Sequence, residues 1–320
     1  LFVAFFPQLV AGPIERASNL LPQFRREVRF DYHRVSSGLR LALWGFVKKV
    51  VIADRLAMFV DVVYNSPGEH HGWTIVLATW MFAFQIFCDF SGYSDIAIGI
   101  ARMLGFDLMK NFDRPYFATS LQDFWRRWHI SLSTWFRDYV YIPLGGNRVI
   151  KWRWYYNLFL TFLISGLWHG AAWTFVIWGA LHGGGIVLEL MLRRGNQPTI
   201  MNGWQRVSKI AFIFGVVCLA WLFFRANSLS DAVMLLGNMT DFSLDQLSLN
   251  MILDSPYDLV VGIGSVLLLL GVHLFQEKHH VGIWIITQPS WVRWIIYLGL
   301  VLLILNFGEF NQQQFIYFQF

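Results

Sequence analysis

The chain has 320 residues, of which 56% are hydrophobic and 14% are charged, with a net charge of +5. A soluble chain carries about a quarter charged residues, so this composition excludes a disordered protein, argues against a soluble globular enzyme and predicts a polytopic membrane protein. The two cysteines, Cys88 and Cys218, lie in apolar runs, which argues against a disulfide scaffold or a cysteine-based metal site.

Long apolar runs predict an all-α fold, a polytopic transmembrane helical bundle with interfacial and re-entrant helices. A helical span needs about 20 apolar residues, and the alternating polarity of a transmembrane strand is absent from these runs. The runs cover residues 38–64, 73–106, 155–192, 210–225, 258–275 and 294–308.

The charges between these runs predict how the chain is oriented. Residues 14–55 and 102–153 each hold nine Lys or Arg against four Asp or Glu, whereas residues 226–258 hold five Asp and no base. Basic connecting segments stay in the cytoplasm. We therefore expect residues 102–153 on the cytoplasmic side and residues 226–258 on the opposite side. Basic blocks in this arrangement indicate membrane orientation, with no nucleic acid as a partner.

The pattern of residues 120–144 predicts an amphipathic helix that lies in the membrane interface or is tucked among the spans. Ser120 or Thr119 would cap its start, and its aromatic residues recur at helical spacing on one face. His129 lies on that face, where it either lines a cavity or bridges to Asp123, Asp138 or a backbone carbonyl.

The run 155–192 predicts a broken or re-entrant helix pair, because basic segments flank both of its ends. Gly166 and residues 170–172 are small and lie at its midpoint, with His169 at the bend. Ionisable groups within a membrane are mostly functional, and a neutral imidazole takes a proton from a hydroxyl near neutral pH. The alternative is a packing histidine bonded to a backbone carbonyl.

Three weaker signals concern other polar groups. His182 stands beside three glycines, which favour close helix packing. Asp89 and Asp95 lie in an apolar stretch and need partners. For these partners we expect arginines, in a structural ion-pair network; paired-carboxylate catalysis and an ion site are the alternatives. The arginines considered are Arg102, Arg114 and Arg126.

No metal site is predicted, because the pair His279–His280 lacks further ligands at suitable spacing. The sequence also contains no Walker motif, no dinucleotide fingerprint and no G-x-S-x-G nucleophile elbow. These absences exclude the enzyme classes that depend on such motifs.

Several sequence blocks together resemble the membrane-bound O-acyltransferase (MBOAT) family, in the bacterial branch of the alginate O-acetyltransferase membrane subunit. The most specific is LQDFWRRWHISLSTWFRDYVYIPLGGNR at 121–148, followed by SGLWHGAAW at 165–173. The others are FFPQLVAGPIERASNLLPQF at 5–24, LWGFVKKVVIADRLA at 43–57, FCDFSGYSDIAIGIARMLGF at 87–106 and the ending FIYFQF at 315–320.

The resemblance implies that His169 and His129 are the catalytic positions, and we expect Trp168, Ser133 and Asp138 as auxiliary residues. It implies a multi-pass protein of the bacterial inner membrane, with residues 226–258 in the periplasm. Family members normally have further spans before the first block. We therefore expect residues 1–320 to form a single MBOAT-like membrane domain that lacks N-terminal spans.

The resemblance also implies an enzyme that moves an acetyl group from a cytoplasmic thioester to hydroxyls of an exported polysaccharide. Acetyl-CoA would be the donor substrate, with no bound cofactor. Transfer would be direct or through a periplasmic acetyltransferase partner, with membrane lipids around the protein. The alternatives are D-alanyl transfer to teichoic acid from a carrier-protein thioester, a non-enzymatic glycan or lipid transporter, and a structural subunit of an export complex.

Overall fold

A computed structural model of the protein describes residues 2, 4–9, 11–192, 201–243, 256–310 and 315. Within these ranges the regular structure is helical and contains no strand, which confirms the all-α prediction. The part of the predicted periplasmic segment between residues 243 and 256 lies outside the described residues, as does most of the final sequence block at 315–320.

The helices alternate with short 3₁₀ and π-helical turns along the chain. They are α1 Ala17–Leu20, α2 Tyr32–Phe46, α3 Asp54–Asn65, α4 Gly72–Met103, α5 Leu121–Arg127, α6 Ile130–Phe136, α7 Lys151–His169, α8 Trp173–Leu192, α9 Gly203–Arg225, α10 Leu229–Asn238, α11 Pro256–Lys278, α12 Val281–Thr287 and α13 Ser290–Phe307. The π-helical turns are Val47–Ala53 and Arg137–Tyr141.

In the described part of the chain, five helices are long and apolar enough to cross a membrane. These are α4, α8, α9, α11 and α13. They support the prediction of a membrane protein. The predicted run 38–64 is helical throughout, but it is divided by the π-helical turn Val47–Ala53 and is not among the five.

The chain divides into two compact units. The first unit comprises residues 1–62, 81–110 and 249–319, and the second unit comprises residues 63–80 and 111–248 with residue 320. The predicted single membrane domain over residues 1–320 remains a prediction.

In the first unit, α2 and α4 approach each other through two pairs of glycines. A Cβ added at Gly45 would lie 2.6 Å from the carbonyl oxygen of Gly92, and one added at Gly38 would lie 2.5 Å from that of Gly99. The two glycines on each helix are seven positions apart in the sequence. Small residues at such spacing let two helix backbones pack in direct contact.

The first unit also contains the predicted ion-pair network, although its cations differ from those expected. Lys48 Nζ lies 2.7 Å from Asp95 Oδ2, and Lys49 Nζ lies 2.5 Å from Asp89 Oδ1 and 2.7 Å from Asp54 Oδ1.

The prediction that arginines hold Asp89 and Asp95 was therefore wrong. The π-helical turn changes the spacing of side chains along the helix, so two successive lysines both reach carboxylates of α4. Sequence periodicity does not show such a turn.

Candidate functional site

The segment around His129 in the second unit is bent. The predicted single helix over 120–144 is wrong, because α5 ends at Arg127 and α6 begins at Ile130. His129 adopts a left-handed backbone conformation with φ of 42°. A non-glycine residue in this region interrupts an α-helix and costs about 1–3 kcal/mol, so tertiary contacts have to stabilise the bend.

Residues 111–114 supply those contacts. The backbone N–H of Asp113 donates to the carbonyl of Arg127 over 2.8 Å, and the N–H of Ile130 donates to the carbonyl of Asn111 over 2.9 Å. Backbone groups freed by the break in the helix are thus paired again. Among the described residues, His129 and Arg114 are the two non-glycine positions with positive φ.

The imidazole of His129 is buried, with 4% of the residue exposed. Its Nδ1 lies 3.0 Å from Oδ1 of Asn111, and the ring of Phe112 stacks on it at 6.3 Å between centroids. Burial lowers the pKa of His129 well below its usual value, and the charge of His169 lowers this pKa further. His129 is therefore neutral at physiological pH.

The start of α5 is held in place by two acceptors. The hydroxyl of Ser120 accepts from the N–H of Asp123 over 3.0 Å, which confirms the predicted cap. Glu189 of α8 accepts from the N–H of Leu121 over 2.9 Å. A carboxylate at a helix N-terminus is favoured by the helix dipole, and this contact fixes α5 against α8.

The predicted break within 155–192 is confirmed, because α7 ends at His169 and α8 begins at Trp173. The two helices pack backbone to backbone at small residues. A Cβ added at Gly166 would overlap the carbonyl oxygen of Phe175, and one added at Gly179 would overlap that of Phe162.

His169 lies at the end of α7 and remains partly accessible. Ring centroids of Trp178 on α8 and Phe224 on α9 lie 5.1 Å and 5.2 Å from its own, both nearly perpendicular to it. The neighbouring Trp168 ring lies 5.0 Å away. The imidazole therefore has stiff aromatic walls, and the residue is not fully enclosed by them.

The second unit thus brings together the two predicted catalytic histidines. His129 comes from the bend between α5 and α6, and His169 comes from the end of α7. They are close enough for the charge of one to affect the proton affinity of the other.

The three predicted auxiliary residues have different environments. Trp168 is half exposed and contacts both His169 and Phe136. Ser133 donates its hydroxyl to the carbonyl of Trp128 over 3.3 Å. Asp138 accepts from the adjacent Arg137 over 2.8 Å, in a partly exposed ion pair.

His182 packs against the ring of Trp178, which also borders His169. Trp125 donates its indole N–H to His182 Nδ1 over 3.2 Å, so the neutral ring carries its proton on Nε2. The neighbouring Gly183 packs against the backbone of Phe159, in line with the packing role expected for the glycines. No group of three or more His, Cys, Asp or Glu side chains converges as metal ligands within the described ranges.

Sequence reasoning missed Asn111, which contacts His129 directly. The available signal was a single amide in a stretch that precedes an Asp-Arg-Pro turn. A buried amide requires partners, and Asn111 is 1% exposed. The pairing with His129 could not be read from the sequence, because 18 residues separate the two.

Comparison with known proteins gives one family. Residues 1–230 match the model described as "MBOAT, membrane-bound O-acyltransferase family". The chain is 45% identical over 249 residues to the Probable alginate O-acetylase AlgI of Pseudomonas putida, covering 77% of this chain and 50% of that protein.

The names of two further relatives state a different acceptor or a different transferred group. The Peptidoglycan O-acetyltransferase of Helicobacter pylori is 43% identical over 244 residues, with 75% of this chain and 46% of that protein covered. The Teichoic acid D-alanyltransferase of Streptococcus thermophilus is 28% identical over 251 residues, with 70% and 60% covered. The chain spans about half the length of the O-acetyl-transferring relatives that it matches.

Proposed function

Since the chain belongs to the membrane-bound O-acyltransferase family, we propose that the protein moves an acetyl group onto hydroxyls of an exported polysaccharide. The donor is a cytoplasmic thioester, acetyl-CoA, and transfer is direct or through a periplasmic acetyltransferase. Relatives named for O-acetyl transfer are 43–45% identical to this chain. The D-alanyltransferase is 28% identical, so acetyl transfer is the better supported reaction.

The observation that carries this proposal is the pairing of His129 and His169 in one compact unit. A hydroxyl oxygen attacks the thioester carbonyl carbon, the C–O bond forms, the C–S bond breaks, and the hydroxyl proton ends on the thiol. A neutral imidazole placed within hydrogen-bond reach can carry this proton. His169 is partly accessible, so it is the imidazole that touches the substrate, as general base or as transient carrier of the acyl group.

The developing negative charge on the thioester oxygen needs a donor nearby. The backbone N–H of Gly170 follows His169 directly. A side chain larger than hydrogen at this position would overlap the ring of Phe175. Gly170 thus lets the ring of Phe175 pack against the backbone next to His169, and the N–H of Gly170 is our candidate for this role, with Ser133 as the alternative.

The charge distribution supports an orientation for the reaction. Residues 102–153 carry the basic excess, which attracts the phosphates of coenzyme A. We place this segment in the cytoplasm of a bacterium, with the protein in the inner membrane. The polysaccharide hydroxyl then arrives from the periplasmic side, where residues 226–258 lie.

The test is acetyl transfer by the full-length protein in proteoliposomes, supplied with radiolabelled acetyl-CoA and with alginate or peptidoglycan oligosaccharides. We expect label on the acceptor and at least a ~100-fold loss in His169→Ala, the usual contribution of general acid–base catalysis. His33→Ala removes an exposed histidine and should keep full activity. Undiminished transfer by His169→Ala would refute the assignment.

The same assay addresses the alternatives. A transporter would move the glycan or lipid and leave the acceptor unlabelled, and a structural subunit would tolerate the His169 substitution in a complete export complex. Supplying a D-alanyl carrier-protein thioester in place of acetyl-CoA tests the remaining reaction. Transfer of D-alanine without transfer of acetate would overturn the proposed donor.

A further inference from the structure

Asn111 holds the bend between α5 and α6 through one oxygen atom. Its Oδ1 lies 2.9 Å from the hydroxyl of Ser131, 3.3 Å from the backbone N–H of Ser131 and 3.0 Å from Nδ1 of His129. All three residues are buried, with 1% to 4% of each exposed. A buried polar cluster of this kind restricts the side chains that it joins.

The backbone N–H of Ser131 identifies which atom of the Asn111 amide faces the cluster. A backbone N–H can only donate, so the atom it meets is the carbonyl oxygen and not the amide nitrogen. That oxygen carries lone pairs and no hydrogen. His129 Nδ1 therefore donates to it, and the proton of the neutral ring resides on Nδ1.

We infer that Asn111 is a positioning residue that fixes His129 in the Nδ1–H tautomer, so that His129 serves as a proton acceptor through Nε2. The lone pair lies on the opposite edge of the ring from Asn111. An imidazole held in this state cannot donate from Nε2 to an oxyanion. This assignment separates His129 from the donors that stabilise negative charge during the reaction.

The catalytic meaning of this tautomer rests on the proposed acyl transfer. The hydroxyl proton passes through His169 to Nε2 of His129. The C–O bond forms and the C–S bond breaks. The imidazolium of His129, still hydrogen-bonded to Asn111 through Nδ1, returns the proton through His169 to the thiolate sulfur. Protons and charge balance without another reactant.

Three variants of the full-length protein test the inference by activity. Asn111→Leu keeps the approximate shape and removes the acceptor, and we expect kcat to fall about 10- to 100-fold, as when an orienting group behind a functional histidine is lost. KM for acetyl-CoA should change by less than about twofold, because the substitution removes no contact that binds the substrate equally in its ground state and its transition state. Ser131→Ala keeps the Asn111–His129 bond but removes a hydroxyl that also lies 3.4 Å from His129 Nδ1, so kcat should fall less than in Asn111→Leu; an equal or larger fall would place the positioning role on Ser131.

Asn111→Asp tests the inference through the pH dependence of kcat/KM, which would not change if Asn111 were only a structural residue. A carboxylate next to Nδ1 stabilises the imidazolium and raises the pKa of His129 by about one to three units. The base is active when unprotonated, so the acidic limb of the kcat/KM profile should move to higher pH by that amount. A folded Asn111→Asp protein with an unchanged pH profile would overturn the inference.

The tautomer of His129 can be measured without an activity assay, which separates this inference from the proposed function. ¹⁵N-histidine-labelled full-length protein in bilayers, compared with a His129→Asn sample, isolates the imidazole signals of His129 in solid-state NMR. We expect a protonated Nδ1 and an unprotonated Nε2 in the wild type, and loss of this single state in Asn111→Leu. A proton on Nε2 in the wild type would refute the role of Asn111. If the tautomer is as expected but no acyl transfer occurs, the proposed function alone fails.

Discussion

The left-handed backbone of His129 allows its structural role to be separated from the chemical role that we propose for it. Asparagine tolerates this conformation better than most residues do, but its amide cannot accept a proton from a hydroxyl. We predict that His129→Asn retains the thermal stability of the wild type to within a few degrees while losing at least ~100-fold in transfer. Thermal unfolding in detergent and the acetyl-transfer assay measure the two effects. Equal losses in both would make His129 a structural residue.

The lysines of the π-helical turn Val47–Ala53 provide a second residue-scale prediction. Lys48 is 4% exposed and pairs with Asp95. Removing one partner of a buried pair costs about 3–5 kcal/mol, so Lys48→Met should lower the apparent melting temperature clearly. Arg29 pairs with Glu27 at a largely exposed site, and Arg29→Met should change it little, since surface pairs contribute about 0–1 kcal/mol. Equal effects of the two variants would show that the buried network is not stabilising.

At the scale of elements, the α7–α8 hairpin depends on glycine at the helix contact. Gly166→Ala places a Cβ against the backbone of Phe175, where nothing flexible can move away. A Cβ added at Gly184 on α8 would meet no atom within 4 Å. Gly184→Ala should therefore be neutral or stabilising by about 0.5–1 kcal/mol. We expect Gly166→Ala to lower both thermal stability and transfer, because His169 lies three residues further along α7. Full activity of Gly166→Ala would contradict this packing.

The sequence predicts an element well when the residues that cause it lie within the element itself. The break at residues 170–172 was predictable, because small residues and basic flanks mark it within the segment itself. The bend at His129 was not, because residues 111–113 stabilise it from outside the helix. The partners of Asp89 and Asp95 were missed for a similar reason, since the π-helical turn that positions Lys48 and Lys49 has no periodic signature.

For the whole molecule, the charge asymmetry predicts which segments face each compartment. Both native cysteines are buried, so their replacement by alanine gives a background for single-cysteine labelling. A cysteine at Asp241 should react with a membrane-impermeant maleimide on intact spheroplasts. A cysteine at the exposed Arg148 should react only after permeabilisation. The reverse pattern would invert the proposed orientation.

Acyl transfer by the proposed mechanism requires the thioester of the donor to reach the two histidines of the second unit. The most direct measurement is a cryo-EM structure of the full-length protein with an acetyl-CoA analogue whose thioester sulfur is replaced by a methylene group. We predict that the analogue's carbonyl carbon lies within about 4 Å of the His169 imidazole, the distance of a near-attack arrangement. A map that places the carbonyl elsewhere, with neither His169 nor His129 beside it, would contradict catalysis by these histidines.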